Sequence, residues 1–465
     1  MSSPRGRVMA VLFALAAVLR LSATALGAGP VYQPLRYEDD FSYLADPARR
    51  SDPWDGLKYI PISASRYGPI WLSLGGELRE RFEAYHNPNF GLRAPPANAY
   101  SLHRLQLHMD LHLTDYIRVF AQVANLERVG ARGIASTTDI NHLELSQGFI
   151  DFRPPSPLGD APVLRVGREE LLFGSQRLIA VREGPNVRRA FDGFRFTDQW
   201  RGISLDLFAA RPVANSPEVF NDHANPNQML WGAYLTVPVG EVLKADLYWL
   251  NYENKTARFR GLTGIETRQT YGVRLFGETG GFDWNAEFAA QTGSFRDRKI
   301  RAAMGAMAAG YTFENIAWKP RMGVEANAAS GDNGRAAEIG TFNAMFPRLP
   351  YFAVTSLLVP ANVIDVRPVV TVRPLADISV TLGWDMLWRA SNTDGLYGSG
   401  LVQYPSTNGG TGNHIGTELS ADVRWRVDPH LTISAIAARF LAGPAVRQAF
   451  GKSVTFLVLS ATYRF

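Results

Sequence analysis

The chain has 465 residues, 46% of them apolar, with no cysteine and a formal charge of +5. That composition excludes a disulfide-stapled scaffold, thiolate metal sites and a cysteine nucleophile, and the charge is too small for this length to mark a nucleic-acid binder. Mean hydropathy is −0.10, and beyond the N-terminus no run reaches the roughly 18 apolar residues of a spanning helix, which argues against a helical membrane protein.

Residues 1–28 read as an export signal: Arg5 and Arg7 open it, VMAVLFALAAV is its apolar core, and Ala23-Thr24-Ala25 and Leu26-Gly27-Ala28 are candidate cleavage sites. Residues 29–69 are rich in Pro, Asp, Arg and Tyr without periodicity. They are expected to form a periplasmic leader, outside the following domain or tucked into its base. From residue 70 to 465 the period is 2. In SLHRLQLHMDLHL, Leu105, Leu107, Met109 and Leu111 take one face, and Arg104, Gln106, His108, Asp110 and His112 the other. Thr114-Asp115 turns the chain, and Ile117, Val119, Ala121 and Val123 return opposite Arg118, Phe120 and Gln122. The same alternation recurs in GFDWNAEFAAQ, VIDVRPVVTVRP, ISVTLGWDMLWRAS and GTELSADVRWRV. Pro368 interrupts the second of these and predicts a bulge. The last stretch, GKSVTFLVLSATYRF, sets Leu457, Leu459, Ala461, Tyr463 and Phe465 against Val458, Ser460, Thr462 and Arg464.

Short turns are expected near Thr114, Pro155 to Asp160, Asp198, Gly240, Gly280, Asn315, Ala376 and Pro429. Longer loops alternate with them at 86–99, 129–141, 173–189, 211–227, 253–265, 330–362, 391–412 and 442–452. That rhythm, with strands of ten residues and more, predicts an all-β transmembrane antiparallel barrel of about 18 strands, with short periplasmic turns and long extracellular loops, in a bacterial outer membrane. Trp71, Tyr116, Trp231, Trp249, Trp388, Trp425 and Tyr463, near strand ends, suit interfacial girdles. A β-sandwich also alternates, but its strands average five or six residues. Glu80 and Arg168 break the pattern by pointing at lipid, which predicts a bulge or an early strand end at each.

GREELLFGSQRLI (167–179) and NVRRAFDGFRF (186–196) resemble the alginate-export family of outer-membrane proteins. The carrying residues are Gly167, Arg168, Glu170, Gly174, Arg177 and Leu178, then Arg189, Phe191, Asp192, Gly193 and Arg195. GGELRERFE (75–83) and FNAMFPRLPYF (342–352) are similar to the family as well. The resemblance implies an 18-stranded barrel, an arginine-rich constriction, an inward-folded loop and a substrate of the uronate-polymer type.

If the apolar faces meet lipid, the other faces line a pore. Arg79, Arg81, Arg104, Arg118, Arg165, Arg195, Arg268, Arg274, Arg321, Arg367, Arg373, Arg389, Arg424, Arg426 and Arg464 then point inward. Rows of guanidinium suit a polymer bearing one carboxylate per sugar, passed from one grip to the next. The inward face carries nearly as many acids, among them Glu77, Glu83, Asp110, Asp151, Asp206, Asp283 and Glu418. Many arginines are therefore expected to be braces within the wall. His108 and His112 share a face, but four strand residues separate them by about 13 Å, too far for one ion. No Gly-x-Ser-x-Gly elbow and no phosphate loop occurs. The expected function is a channel passing an anionic, alginate-like exopolysaccharide outward, with no catalysis, cofactor or metal, no nucleic-acid partner, and periplasmic export partners possible. The alternative is a general or small-solute uptake porin on the same barrel.

Overall fold

The computed structural model describes residues 30–92, 97–133, 136–155, 162–335, 337–410 and 412–465, so the signal segment and the expected turn after Pro155 lie outside the described residues. Eighteen spanning strands form one closed antiparallel sheet. Closure is made by Gly68–His86, which pairs with Ala97–His112 on one edge and Val454–Arg464 on the other. Gly76 and Phe465 finish that seam by exchanging N–H···O bonds of 2.9 and 3.1 Å.

The distribution of side chains is inverted relative to a globule. Leu105, Leu107 and Met109 are 42, 44 and 37% exposed, whereas Arg104, Gln106 and His108 between them are 0, 5 and 6% exposed. The last strand repeats this, with Leu457 and Leu459 outward and Phe456 and Val458 inward. No second sheet covers the oily face: the only other sheet among the described residues is the two-stranded Tyr397–Gly398 with Val402–Gln403. A contiguous apolar band around a closed ladder is stable only against acyl chains, and the closed ladder leaves no unpaired edge in the hydrocarbon.

The connections keep their phase around the barrel, but four local expectations fail. Residues 253–265 are not a loop: Leu243–Phe259 and Leu262–Thr279 run on as a hairpin closed at Arg260-Gly261, with one irregularity between Asn254 and Ala257. Pro368 needs no bulge. The pairs on either side, Val366↔Met386 and Val369↔Gly383, keep one register; the ladder only skips Arg367 and Pro368, and the proline ring faces outward. Glu80 likewise sits in an unbroken ladder, and its carboxylate is met on the outer face by His103 Nδ1 at 2.6 Å. Trp71 is no girdle residue: it points into the barrel, 7% exposed, between the rings of Tyr59 and His112. Arg168 does lie at a strand end, Val163–Glu169, where it pairs with Asp192 and reaches Asp222 O.

Three segments fill much of the bore. The leader enters from the short-turn side, with Leu35, Tyr37, Phe41 and Leu44 buried. Tyr37 packs edge-on against the inward Phe120 and Phe149, at 6.1 and 5.3 Å between centroids. Ile60–Ser65 then pairs along the foot of the first spanning strand. From the opposite side, residues 170–190 and 330–362 fold inward. They meet at Ile179↔Phe346, where Ala180 N donates to Phe346 O and Phe346 N to Leu178 O. Phe346 completes an apolar cluster with Leu171, Ile179, Phe191 and Tyr252.

Two glycines of the 167–196 stretch let these strands approach. Gly167 and Gly193 face each other across the ladder. A Cβ on Gly167, at φ +138°, would lie 2.3 Å from Gly148 O, and one on Gly193 2.3 Å from Ala209 O.

Candidate functional site: the lumen and its constriction

Alternation turns a long row of guanidiniums inward, and the strand register decides which carboxylate each meets. Arg118 lies diagonal to Asp110 and donates from Nε and Nη2 at 2.7 and 2.8 Å. Arg165 takes Asp151 in the same forked way at 2.7 and 2.9 Å, because their strands pair them directly. Arg195 reaches Asp206 at 2.7 Å, Arg274 reaches Asp246 at 2.7 Å, and Arg268 reaches Glu266 at 2.6 Å. Such charge-assisted forks brace the wall and satisfy charges away from bulk water. Arg81–Glu83 (2.6 Å) is as covered as these, whereas Arg321–Asp283 (2.6 Å) and Arg367–Glu325 (3.2 Å) are more open to the lumen.

Arg79 and Arg104 face inward as expected, yet their donors are held by a loop. Arg104, fully buried, donates to Asn186 O (3.0 Å), Pro185 O (2.7 Å), Glu183 O (3.2 Å), Glu183 Oε1 (2.9 Å) and Glu77 Oε1 (3.2 Å). Arg79 donates to Glu183 O at 2.9 Å and Pro185 O at 3.1 Å. The Glu183 side chain, 46% exposed, is also gripped by Arg188 and stands 3.6 Å from Arg79. Burial pushes the Glu183 carboxyl up, but Arg188, Arg104, Arg79 and Arg464 prevail and hold it well below the usual carboxylate range. Arg464 closes the group through Glu77 at 2.8 Å.

Arg188 ties this cluster to the leader. It forks onto Glu170 at 2.8 and 2.7 Å and donates to Pro34 O at 2.8 Å. Tyr37 OH donates to Glu170 O at 2.8 Å, and Arg118 donates to Tyr37 O at 2.5 Å. The leader is further held by Arg36, which donates to Gly76 O and Phe465 O, and by His430, whose ring nitrogens meet Arg464 O and Asp52 at 2.7 Å each. Lys58 Nζ donates to Leu74 O at 2.8 Å over the rings of Phe41 and Phe465, and burial, then Arg36, push its ammonium down to about 7.

The 330–362 loop is held by wall acids. Asp385 accepts from Ala353 N at 2.9 Å, and Glu418 accepts from Val354 N at 2.7 Å and from the Thr355 hydroxyl. Gln291 bonds Asn343 O and N, and Arg177 joins the other loop to Glu287 at 2.7 Å.

Arg389 departs from its expected place on the pore wall. Its strand ends at Trp388, and the side chain, 3% exposed, donates to the carbonyls of Thr407, Gly409 and Gly412. Arg373, Arg424 and Arg426 are the reverse case. All three are exposed on the inward face near the short turns, and none has a carboxylate within ion-pairing distance among the described residues.

Sequence reasoning missed Glu183, which stands between the two family-like segments, Arg188, which lies inside the second of them, and the leader contacts of Pro34 and Tyr37. A buried-polar pattern cannot reveal them, because their partners lie far off along the chain. His108 stacks on Phe120 at 5.5 Å and His112 on Trp71 at 3.9 Å.

A family model described as alginate export matches residues 70–460. Among solved structures, OccK11 (OpdR) of Pseudomonas aeruginosa is similar at 13% identity and a TM-score of 0.56, over 85% of this chain and 96% of that one. OccAB1 of Acinetobacter baumannii is similar at 11% identity and 0.57, over 84 and 96%. The outer membrane protein OprD of Pseudomonas aeruginosa follows at 11% and 0.56, over 88 and 96%. At these identities the likeness is one of fold. No curated protein matches the sequence.

Proposed function

The chain belongs to the alginate-export family and lies in the bacterial outer membrane, and from that premise we propose that it is a passive channel passing an anionic exopolysaccharide outward. The observation that carries the proposal is the graded state of its inward arginines. Arg373, Arg424 and Arg426 stand without an ion-pair partner at the short-turn mouth, Arg81, Arg321 and Arg367 each meet one carboxylate, and Arg79, Arg104 and Arg188 are held by the inward loop. A polymer with one carboxylate per sugar meets free donors first and exchanges from site to site, each grip strong enough to admit it and weak enough to release it. No step needs catalysis; the driving force is polymer synthesis behind the chain, and periplasmic partners would deliver it.

A second reading, uptake of small anionic solutes, is supported by the density of closed ion pairs, Arg118–Asp110, Arg165–Asp151, Arg195–Asp206 and Arg274–Asp246, which suits a narrow, charge-balanced eyelet. Planar-bilayer recording separates the two. The export reading expects an anion-favouring reversal potential and current block by short oligouronates but not by neutral oligosaccharides. Anion preference without oligouronate block favours the small-solute reading, and cation preference rejects the export reading.

A further inference from the structure

The leader and the inward loop share one arginine cluster, and a carboxylate of the chain itself occupies it. Glu183 sits among Arg79, Arg104 and Arg188, with Arg464 adjoining through Glu77. Its side chain is 46% open, while those of Arg79, Arg104 and Arg188 around it are 5, 0 and 8% exposed. A single carboxylate ringed by guanidiniums and reachable from the bore has the chemistry of one uronate group of a polymer. Arg188 also donates to Pro34 O, and Glu170, its other partner, receives Tyr37 OH on its carbonyl. Whatever takes Arg188 from its present partners therefore removes its bond to the leader at Pro34.

The leader itself is built to detach. Its described elements before Ile60 are turns of three or four residues, with no ladder to the barrel. It is held by side-chain bonds to main-chain carbonyls and by small aromatic clusters. Such contacts open locally at far less cost than a strand of the closed sheet.

We propose that Glu183 is a tethered stand-in for a substrate carboxylate, and that an entering polyuronate displaces it and thereby frees residues 30–58 from the lumen. This rests on the export reading and adds to it an autoinhibitory contact and the ligand that relieves it. The displacing group must be anionic, planar and able to accept a guanidinium fork, which a carboxylate satisfies and a neutral sugar does not.

The absence of cysteine makes the test clean. In the full-length barrel, Leu44→Cys places a thiol at a fully buried leader position, and Ser42→Cys places a control at an exposed one. Labelling by a membrane-impermeant maleimide is followed as a short oligouronate is added, beside current block by the same oligouronate. Leu44→Cys is expected to be protected without ligand and labelled with it, with no change for a neutral oligosaccharide of equal length. Glu183→Gln removes the competing carboxylate. It should lower the oligouronate concentration at half-labelling by a factor of about ten, the equivalent of one modest charge-assisted bond. Arg188→Gln cuts the tie to Pro34 and should speed labelling with no ligand present; it serves even if Glu183→Gln folds poorly. Block by oligouronate with Leu44→Cys still protected, or a midpoint unmoved by Glu183→Gln together with unchanged protection in Arg188→Gln, overturns the displacement and leaves the export reading standing. No block at all overturns both.

Discussion

Replacing Arg104 with alanine separates a structural arginine from a transporting one. Arg104 is fully buried and makes five donor contacts, to Glu77, to the Glu183 carboxylate and to the carbonyls of Glu183, Pro185 and Asn186. Its loss leaves the buried Glu77 carboxylate with Arg464 as its remaining partner, and weakens the grip on two loop carbonyls that Arg79 also holds. Breaking a buried ion pair by removing one partner costs about 3–5 kcal/mol. The half-exposed Glu183 contact adds at most about 1 kcal/mol because water screens it, and Arg79 retains part of the loop. The expected loss is therefore about 3–4 kcal/mol, against near zero for the exposed Arg424. The assay is reversible unfolding in urea from lipid vesicles, read by Trp fluorescence, with Arg424→Ala as the companion. A loss under about 1 kcal/mol for Arg104→Ala, with a large drop in anion selectivity, would refute the assignment of Arg104 as a brace and make it a pore cation.

Arg424→Ala with Arg426→Ala should reduce anion selectivity and polymer passage while the barrel assembles normally, since neither side chain has an ion-pair partner among the described residues; unchanged selectivity would make the pair irrelevant to transport. Gly167→Ala should sharply lower the yield of folded barrel, because its Cβ would meet Gly148 O at 2.3 Å from a φ of +138°; gel mobility of the unheated protein reports this. Deleting Phe465 removes both bonds to Gly76 and one acceptor of Arg36, and should slow assembly and raise leader labelling. Leader docking should also depend on pH through Lys58. Its ammonium is pushed from 10.5 to about 7 when docked, so between those values the free leader carries a proton that the docked one lacks. Docking therefore strengthens as pH rises from about 7 towards 10.5, and Lys58→Met should flatten the dependence; labelling of Leu44→Cys normalised to Ser42→Cys measures it.

What the sequence could disclose was set by the lipid. Where a strand crosses hydrocarbon, one face must be apolar, and the alternation from Leu105 to Leu111 or from Leu457 to Tyr463 therefore names both the strand and its faces. Above the membrane that constraint lapses. NKTARFRGLT carries only Ala257 and Phe259 on its apolar side, too short an alternation to show, so the continuing hairpin around Arg260-Gly261 reads as a loop. Glu80 looked like a pattern error because its neutralising partner, His103, is on the adjacent strand 23 residues away. Inward direction of the arginines was legible from period alone, but partnership was not. Arg79, Arg104 and Arg424 share one alternation, and only the placement of the Glu183 loop distinguishes braces from free donors. The leader, lacking periodicity, binds through partners such as Glu170, His430 and Phe465, more than a hundred residues downstream.

The most direct test of polyanion passage is efflux from proteoliposomes. With barrels reconstituted in one orientation, a fluorescent polyuronate and a neutral dextran of equal hydrodynamic size are trapped together inside. The account predicts selective loss of the polyuronate, slowed in the Arg424→Ala, Arg426→Ala double variant. Retention of the polyuronate while small anions escape, or equal escape of both polymers, would contradict it.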